Sequence, residues 1–484
     1  MSTIAKNTML LTLASVGQKA IAFVYFTLIA NAIGKEATGD YFLALSITTI
    51  FSVVADWGLT PVLIREVAKY PGQAGKILRS IMGMKIPLIL LGAAGSIGAA
   101  MLLGYSVSVI QLVAVASLVM AADAISLTCF GVLRGLHNLR YESLGIFVGQ
   151  TITTLIGLAF LFTNPSLPLL IIALLAGSTW NAIYSASRVG KHIGARSLVP
   201  SFDRLEMKKW LKLSVAFVLA GAFVKVYSYV DSLILHSILG SGAVGAYAVA
   251  YKITYAFQFL PMAFVGALYP LMSTLWGEGK KVELGKLFSD AMWYVMLLAA
   301  PIVFGIWSIA DKLIPAFYPN GYEEAILPLQ ILVFALLLLF LDFPIGSLLN
   351  AAGKQGVKTA IMGGTMVINA VANIILIPKM GLEGAAISAV LGDAFLLFAG
   401  LVMVPRLIHA PMLKLIGRVA PIFISGLLMA GSVILLKPYL HFVLLIGVGA
   451  IVYLTVLFMT KALTVEHVRS VYRTMRGGPV TDAV

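Results

Sequence analysis

Of the 34 Lys and Arg residues in this chain, 26 fall in alternate gaps between some fourteen long apolar stretches, and only four fall in the other gaps. About 20 apolar residues cross about 30 Å of hydrocarbon at about 1.5 Å per residue, so each stretch reads as a membrane-spanning helix. Lys and Arg collect in cytoplasmic connections. The alternation therefore predicts an all-α, multi-pass integral membrane protein of about 14 transmembrane helices, with both termini cytoplasmic.

The spans read as 8–30, 41–63, 81–103, 109–131, 143–163 and 167–187, then 213–239, 243–272, 288–310, 325–349, 359–378, 384–404, 419–437 and 440–460. The basic gaps include Arg65 to Arg79, Arg134 with Arg140, Arg188 to Lys212, Lys280 to Lys286, Lys354 with Lys358, and Arg406 to Arg418. On the opposite side stand Lys35, Lys312, Lys379 and Lys437.

Composition agrees, since 60% of residues are hydrophobic and 11% charged, against about 25% charged in soluble domains. The net charge of +14 needs no nucleic acid, because basic loops beside anionic headgroups account for it. Cys129 stands alone in a span, which excludes an intrachain disulfide or a cysteine metal cluster. A secretory signal is the rival reading of the N-terminus. The run is longer than a signal core, Gln18-Lys19 interrupts it, and cleavage would remove half of an internal repeat.

That repeat is Gly34-Lys35-Glu36-Ala37-Thr38-Gly39-Asp40-Tyr41 after span 1 and Gly240-Ser241-Gly242-Ala243-Val244-Gly245-Ala246-Tyr247 after span 7, both G-x-x-A-x-G-x-Y. Its offset is 206 residues, too long for a solenoid unit of about 20 to 50 residues. Two six-helix lobes follow, 1–205 and 206–410. They are parallel repeats about an axis along the membrane normal, with two additional helices in 411–462 and a cytoplasmic tail in 463–484.

Ionisable groups inside spans cost about 2.5 to 3.5 kcal/mol each at a helix centre and usually face a cavity or a partner. Here they are Lys19, Asp56, Lys85, Asp123, Lys225, Asp231, His236, Lys252, Asp342 and Asp393. Lys85, Asp123 and Asp393 read as snorkelling or interhelical hydrogen-bonding groups. In span 7, Lys225, Ser228, Tyr229, Ser232 and His236 share a stripe, and Asp231 points about 120° away. Span 8 adds Tyr247, Tyr251, Tyr255 and Gln258 beside Lys252. Hydroxyls, aromatic rings and cations suit a sugar carrying a phosphate. The competing reading makes the tyrosines interface or packing residues. No nucleophile motif, metal-ligand spacing or phosphate-cradling loop points to an enzyme.

The spans, the two lobes, the repeated motif and Ile377-Pro378-Lys379-Met380-Gly381-Leu382-Glu383-Gly384-Ala385-Ala386 resemble the polysaccharide-transporter branch of the multidrug/oligosaccharidyl-lipid/polysaccharide exporter superfamily, the branch of the Wzx-like flippases. The resemblance implies a flippase in the cytoplasmic (inner) membrane for a polyprenyl-diphosphate-linked oligosaccharide, working by alternating access in surface polysaccharide biosynthesis. Its partners would be that substrate, membrane lipids and other polysaccharide-assembly membrane proteins, with no nucleic acid. No cofactor is implied beyond sodium or a proton as coupling ion. The alternatives are a cation-coupled multidrug (MATE-type) exporter and a lipid II flippase.

Relatives that flip the peptidoglycan precursor carry two arginines in span 1. Aligned from Gly34, those positions are Lys19 and Tyr25 here, so one cation is kept and one replaced. Drug exporters often carry an acid in span 1, and this span has none. The resemblance also implies a substrate cavity drawing on Lys19, Tyr25, Lys225 and Lys252. It further implies a sodium pocket from Asp231, Asn369, Asn373 and Ser388, with Asp342 as another acidic position for cation coupling. Independently, Asn369 and Asn373 are i and i+4 on one helix face, and carboxylate, amide and hydroxyl oxygens are hard ligands that suit alkali cations.

Overall fold

A computed structural model describes residues 3–319, 321–408 and 412–464, and the tail from 465 onward lies outside the described residues. Fifteen α-helices and short 3-10 turns make up the described chain, with no strand among the described residues. They are α1 (Thr3–Asp56), α2 (Leu59–Lys69), α3 (Ala74–Leu102), α4 (Val107–Gly135), α5 (Arg140–Thr163), α6 (Leu167–Ile193), α7 (Arg204–Leu239) and α8 (Ser241–Tyr255). They continue as α9 (Phe259–Gly277), α10 (Lys281–Phe317), α11 (Ile326–Ala351), α12 (Gln355–Met380), α13 (Leu382–Leu407), α14 (Met412–Leu436) and α15 (Phe442–Met459). The chain is an all-α, multi-pass membrane protein.

Among the described residues, twelve helices are long and apolar enough to cross a membrane, or thirteen with the bent Ser241–Phe264 and Leu268–Gly277 pair counted as one span. Expected spans 1 and 2 run together as α1, a 54-residue element interrupted at Gly34, where φ is 81° and ψ 174°. Span 2 does not continue to residue 63 as expected. It breaks at Trp57 (φ 49°) and Gly58 (φ 66°), and α2 starts afresh at Leu59. The reason is packing: a Cβ on Gly58 would lie 2.6 Å from Val218 N and 2.8 Å from Ser214 O, so α7 passes where a side chain would have to stand.

The chain divides into two compact units. Among the described residues, one comprises those within 1–259, 318–325 and 359–388; the other comprises those within 260–317, 326–358 and 389–464. In the first, α1 runs against α3, α4, α5, α7 and α8. Lipid offers no hydrophobic drive between helices, so close approach depends on small residues. Gly145 and Gly149 of α5 face Asn181 of α6, Gly157 receives the ring of Tyr25, and Gly177 of α6 meets Thr153 and the Gly149 carbonyl. The second unit centres on Phe288 and Met292 of α10, Ile345 and Leu348 of α11, and Val404 of α13, with Arg418 bridging to Asp290 at 2.5 Å.

The repeat is visible in the backbone. Gly240 (φ 82°, ψ −177°) breaks the chain before α8 as Gly34 breaks α1, and the two copies cross on each other. A Cβ on Gly39 would collide with the Ser241 carbonyl, and one on Gly245 with the Lys35 carbonyl. Ser241 donates to Asp40 at 2.5 Å across the crossing.

Connections assigned to one side of the membrane touch one another. Lys35, Glu36, Asp40, Gly240 to Ala243, Glu324 and Gly381 to Glu383 surround one basin of about 680 Å3, and Lys35 pairs with Glu324 at 3.0 Å. Among the basic connections, Ser201 N donates to the Arg79 carbonyl at 2.9 Å, Lys76 pairs with Glu206 at 3.1 Å, and Asn138 meets His192 at 3.4 Å.

Candidate substrate cavity and cation site

Within the first unit, the second half of α1 together with α4, α5, α6 and α7 encloses a cavity of about 550 Å3. Its polar wall carries Thr48, Thr49, Ser52 and Asp56 of α1, Asp123 and Ser126 of α4, Glu142 of α5, Asn181 of α6 and Lys225 of α7. The break at Trp57-Gly58 opens on this wall, and non-helical backbone at membrane depth is tolerated where it lines a polar cavity. At the break, Asp56 accepts from both Thr60 and Lys85. Lys85 is 1% exposed and donates to Asp56 across helices, so of the two alternatives in the sequence it is the interhelical hydrogen bond that forms and not snorkelling.

Of the residues expected to face the substrate, Lys225 lies on this wall, and Ser228 is half-buried one turn further along α7. Tyr229, Tyr251 and Tyr255 form an aromatic run against α1. Tyr229 and Tyr251 ring centres are 6.2 Å apart, Tyr251 and Tyr255 4.5 Å, and Phe42 and Tyr251 5.9 Å. Lys252 stands 5.4 Å from the Phe26 ring and 5.6 Å from Phe42, a cation held by aromatic faces. His236 meets the Tyr105 ring edge-on at 4.6 Å. Lys19 is half-buried on α1. Tyr25 is 3% exposed, with its ring over Gly157 and its hydroxyl without a hydrogen-bond partner among the described residues.

The four residues of the expected sodium pocket, Asp231, Asn369, Asn373 and Ser388, are buried in the first unit, with their hydrogen bonds among the described residues made in three separate groups. Asp231 accepts from Tyr247 Oη at 2.6 Å, Ser232 N at 2.7 Å and Ser232 Oγ at 3.3 Å. Ser232 is buried, and its hydroxyl bonds to the adjacent Asp231. Asn373 donates to the Asn369 carbonyl at 2.9 Å and to its side-chain oxygen at 3.0 Å, and Ser388 donates to the Gly384 carbonyl at 2.7 Å.

The Oδ1 of Asn373 is buried without a donor among the described residues, an orphaned acceptor that fits a cation ligand. No group of three His, Cys, Asp or Glu residues among the described ones forms a metal cluster. One carboxylate with neutral oxygens suits a monovalent cation better than a divalent one. Asp342 belongs to the second unit, where its oxygen lies beside Gly400 of α13 and its charge acts on Asp393.

The 206-residue offset carries more than the motif. It relates Lys19 to Lys225, Tyr25 to Asp231 and Tyr41 to Tyr247, so the Tyr247–Asp231 contact has a Tyr41 and Tyr25 counterpart in the first copy. Asn181 was missed at the sequence level. The available signal was an amide in an apolar span, facing a Gly-x-x-x-Gly pair at 145 and 149.

Residues 4–276 match the family described as polysaccharide biosynthesis protein, and residues 216–375 match the family described as MatE. The probable low-salt glycan biosynthesis flippase Agl15 of Haloferax volcanii is 25% identical over 396 residues, covering 81% of each chain. Among solved structures, the lipid II flippase MurJ in its inward closed conformation superposes with a TM-score of 0.74 at 17% identity, over 93% of this chain and 98% of that one. An inward-facing MATE family multidrug resistance transporter of the MOP superfamily gives 0.67 at 15% identity, over 86% and 95%. These two likenesses establish the fold.

Proposed function

This chain belongs to the polysaccharide biosynthesis protein family, and we propose that it is a flippase moving a polyprenyl-diphosphate-linked oligosaccharide from the cytoplasmic to the outer leaflet, a transporter and not an enzyme. The single observation that carries the reading is the polar cavity among α1, α4, α5, α6 and α7, with Lys225 on its wall. A diphosphate entering such a site gains a charge-assisted contact with the ammonium, stronger in a low-dielectric wall than in water. The polyprenyl tail stays in lipid. The name of the Haloferax relative supports the same direction.

In this proposal the membrane is the cytoplasmic membrane, both termini are cytoplasmic, and the halves 1–205 and 206–410 alternate in exposing the headgroup. Sodium or a proton at Asp231 drives the cycle. A bound cation shifts the balance of two states only by its difference in affinity for them, and a swing from about 1:99 to 99:1 needs about 5.5 kcal/mol.

The test is translocation of a fluorescent polyprenyl-diphosphate oligosaccharide in proteoliposomes, with and without a sodium or proton gradient. Movement of the labelled headgroup that requires the protein and Lys225 supports the reading. No lipid movement, with export of small organic cations instead, overturns it and favours a drug exporter.

A further inference from the structure

We propose that Asp123 and Asn181 form a sugar-binding subsite in the α1–α7 cavity, so that the substrate lies with its diphosphate at Lys225 and its first sugar against α4 and α6. The proposal rests on the flippase reading and names the headgroup's orientation within it.

Four ionisable side chains reach the cavity wall: Asp56, Asp123, Glu142 and Lys225. Asp56 is engaged by Lys85 and Thr60. Glu142 is engaged by the Arg134 guanidinium through two hydrogen bonds, one of them 2.6 Å from Nε. Lys225 and Asp123 remain, and neither forms an ion pair among the described residues. Asp123 is exposed, with Ser178 of α6 beside it. One free cation and one free carboxylate in a single wall suit a ligand that is anionic at one end and rich in hydroxyl donors at the other.

Asn181 supplies the second observation. Its Oδ1 is buried without a donor among the described residues. The side chain is held there because α5 has no Cβ in its way. A methyl on Gly145 would lie 3.2 Å from Asn181 Oδ1 and 2.6 Å from Phe130 Cζ, and one on Gly149 would overlap the Asn181 amide. The two glycines therefore seat both Asn181 and Phe130 on the wall.

A carboxylate that accepts from a sugar hydroxyl and an amide that donates and accepts are complementary to a neutral sugar. A bare diphosphate would be repelled by Asp123. The cavity, about 550 Å3, falls within the roughly 300 to 1,000 Å3 range of small-molecule sites.

The experiment compares two probes on the purified full chain in nanodiscs: farnesyl diphosphate linked to N-acetylglucosamine, and farnesyl diphosphate alone. Wild type is expected to bind the sugar-bearing probe more tightly. Asp123→Asn and Asn181→Ala should each lose about tenfold for the sugar-bearing probe and leave the sugar-free probe unchanged, whereas Lys225→Ala weakens both. Equal effects of Asp123→Asn and Asn181→Ala on the two probes, or none, overturn the subsite while leaving the flippase reading intact. Failure of wild type to bind either probe overturns the flippase reading itself. Melting curves of the variants report folding, and the near-isosteric Asp123→Asn keeps the test open if Asn181→Ala does not fold.

Discussion

The hydroxyl of Tyr247, last residue of the second motif copy, donates at 2.6 Å to the carboxylate of Asp231, sixteen residues earlier on α7. The motif thereby fixes a buried acid as well as a turn. In the first copy the acid's place is taken by Tyr25, so the halves share a scaffold and differ in charge. If Asp231 binds the coupling ion, Asp231→Asn abolishes gradient-dependent flipping while headgroup binding persists. Tyr247→Phe keeps the carboxylate and loses its orientation. It is expected to raise the half-saturating ion concentration about tenfold, in line with a hydrogen bond to a charged group worth about 1.5 kcal/mol or more. Initial rates over a sodium and pH series check both.

The glycines of the crossing separate by position. Gly39→Ala and Gly245→Ala each put a methyl into a carbonyl of the other copy, and should cost at least about 2 kcal/mol of stability. Gly242→Ala meets only side chains, Lys35 Cε at 3.4 Å and Glu36 Cγ at 3.7 Å, and should be neutral or stabilising by up to about 1 kcal/mol, because Ala is the better helix residue. Thermal melting in detergent distinguishes them, and equal losses at all three would contradict the crossing.

How much of this was legible in sequence differs by element. The spans, the sides of their connections and the repeat follow from apolar runs and Lys/Arg placement, which the bilayer imposes locally. The break at Trp57-Gly58 was not legible, because it depends on α7 passing at Ser214 to Val218, 156 to 160 residues after Gly58. Periodicity put Ser232 in a cavity, yet its hydroxyl is drawn to the neighbouring Asp231. Lys225 lies on the cavity wall, while the other polar residues of that wall lie on four other helices and share no local pattern with it.

The buried Lys85–Asp56 pair predicts an asymmetric double-mutant cycle. Lys85→Ala leaves Asp56, 21% exposed to the cavity side, without its cation and should cost about 3 kcal/mol. Lys85→Met combined with Asp56→Asn removes both charges and should recover at least half of that loss. A double mutant no more stable than Lys85→Ala would show that the pair is not what holds the break.

Asp393 is 1% exposed, and neither of its carboxylate oxygens has a hydrogen-bond partner among the described residues. Its neighbour Asp342 adds like charge. Asp393→Asn keeps the shape and removes a group that is costly to bury charged, so melting should rise or hold steady. A loss above about 1 kcal/mol would show that the carboxyl group is engaged.

The basin formed by the connections at Gly34, Gly240, Glu324 and Gly381 has a consequence for traffic. Glu36, Asp40, Glu324 and Glu383 outnumber Lys35 around it, whereas the connections at Arg79, Arg134 and Arg188 are basic. A polyanion is enriched near one rim and depleted near the other, and small cations the reverse. In low salt the protein should act as an electrostatic rectifier, capturing its cargo readily on the basic rim and shedding it on the acidic one. That bias should fade once ions screen beyond about 10 Å at 0.1 M.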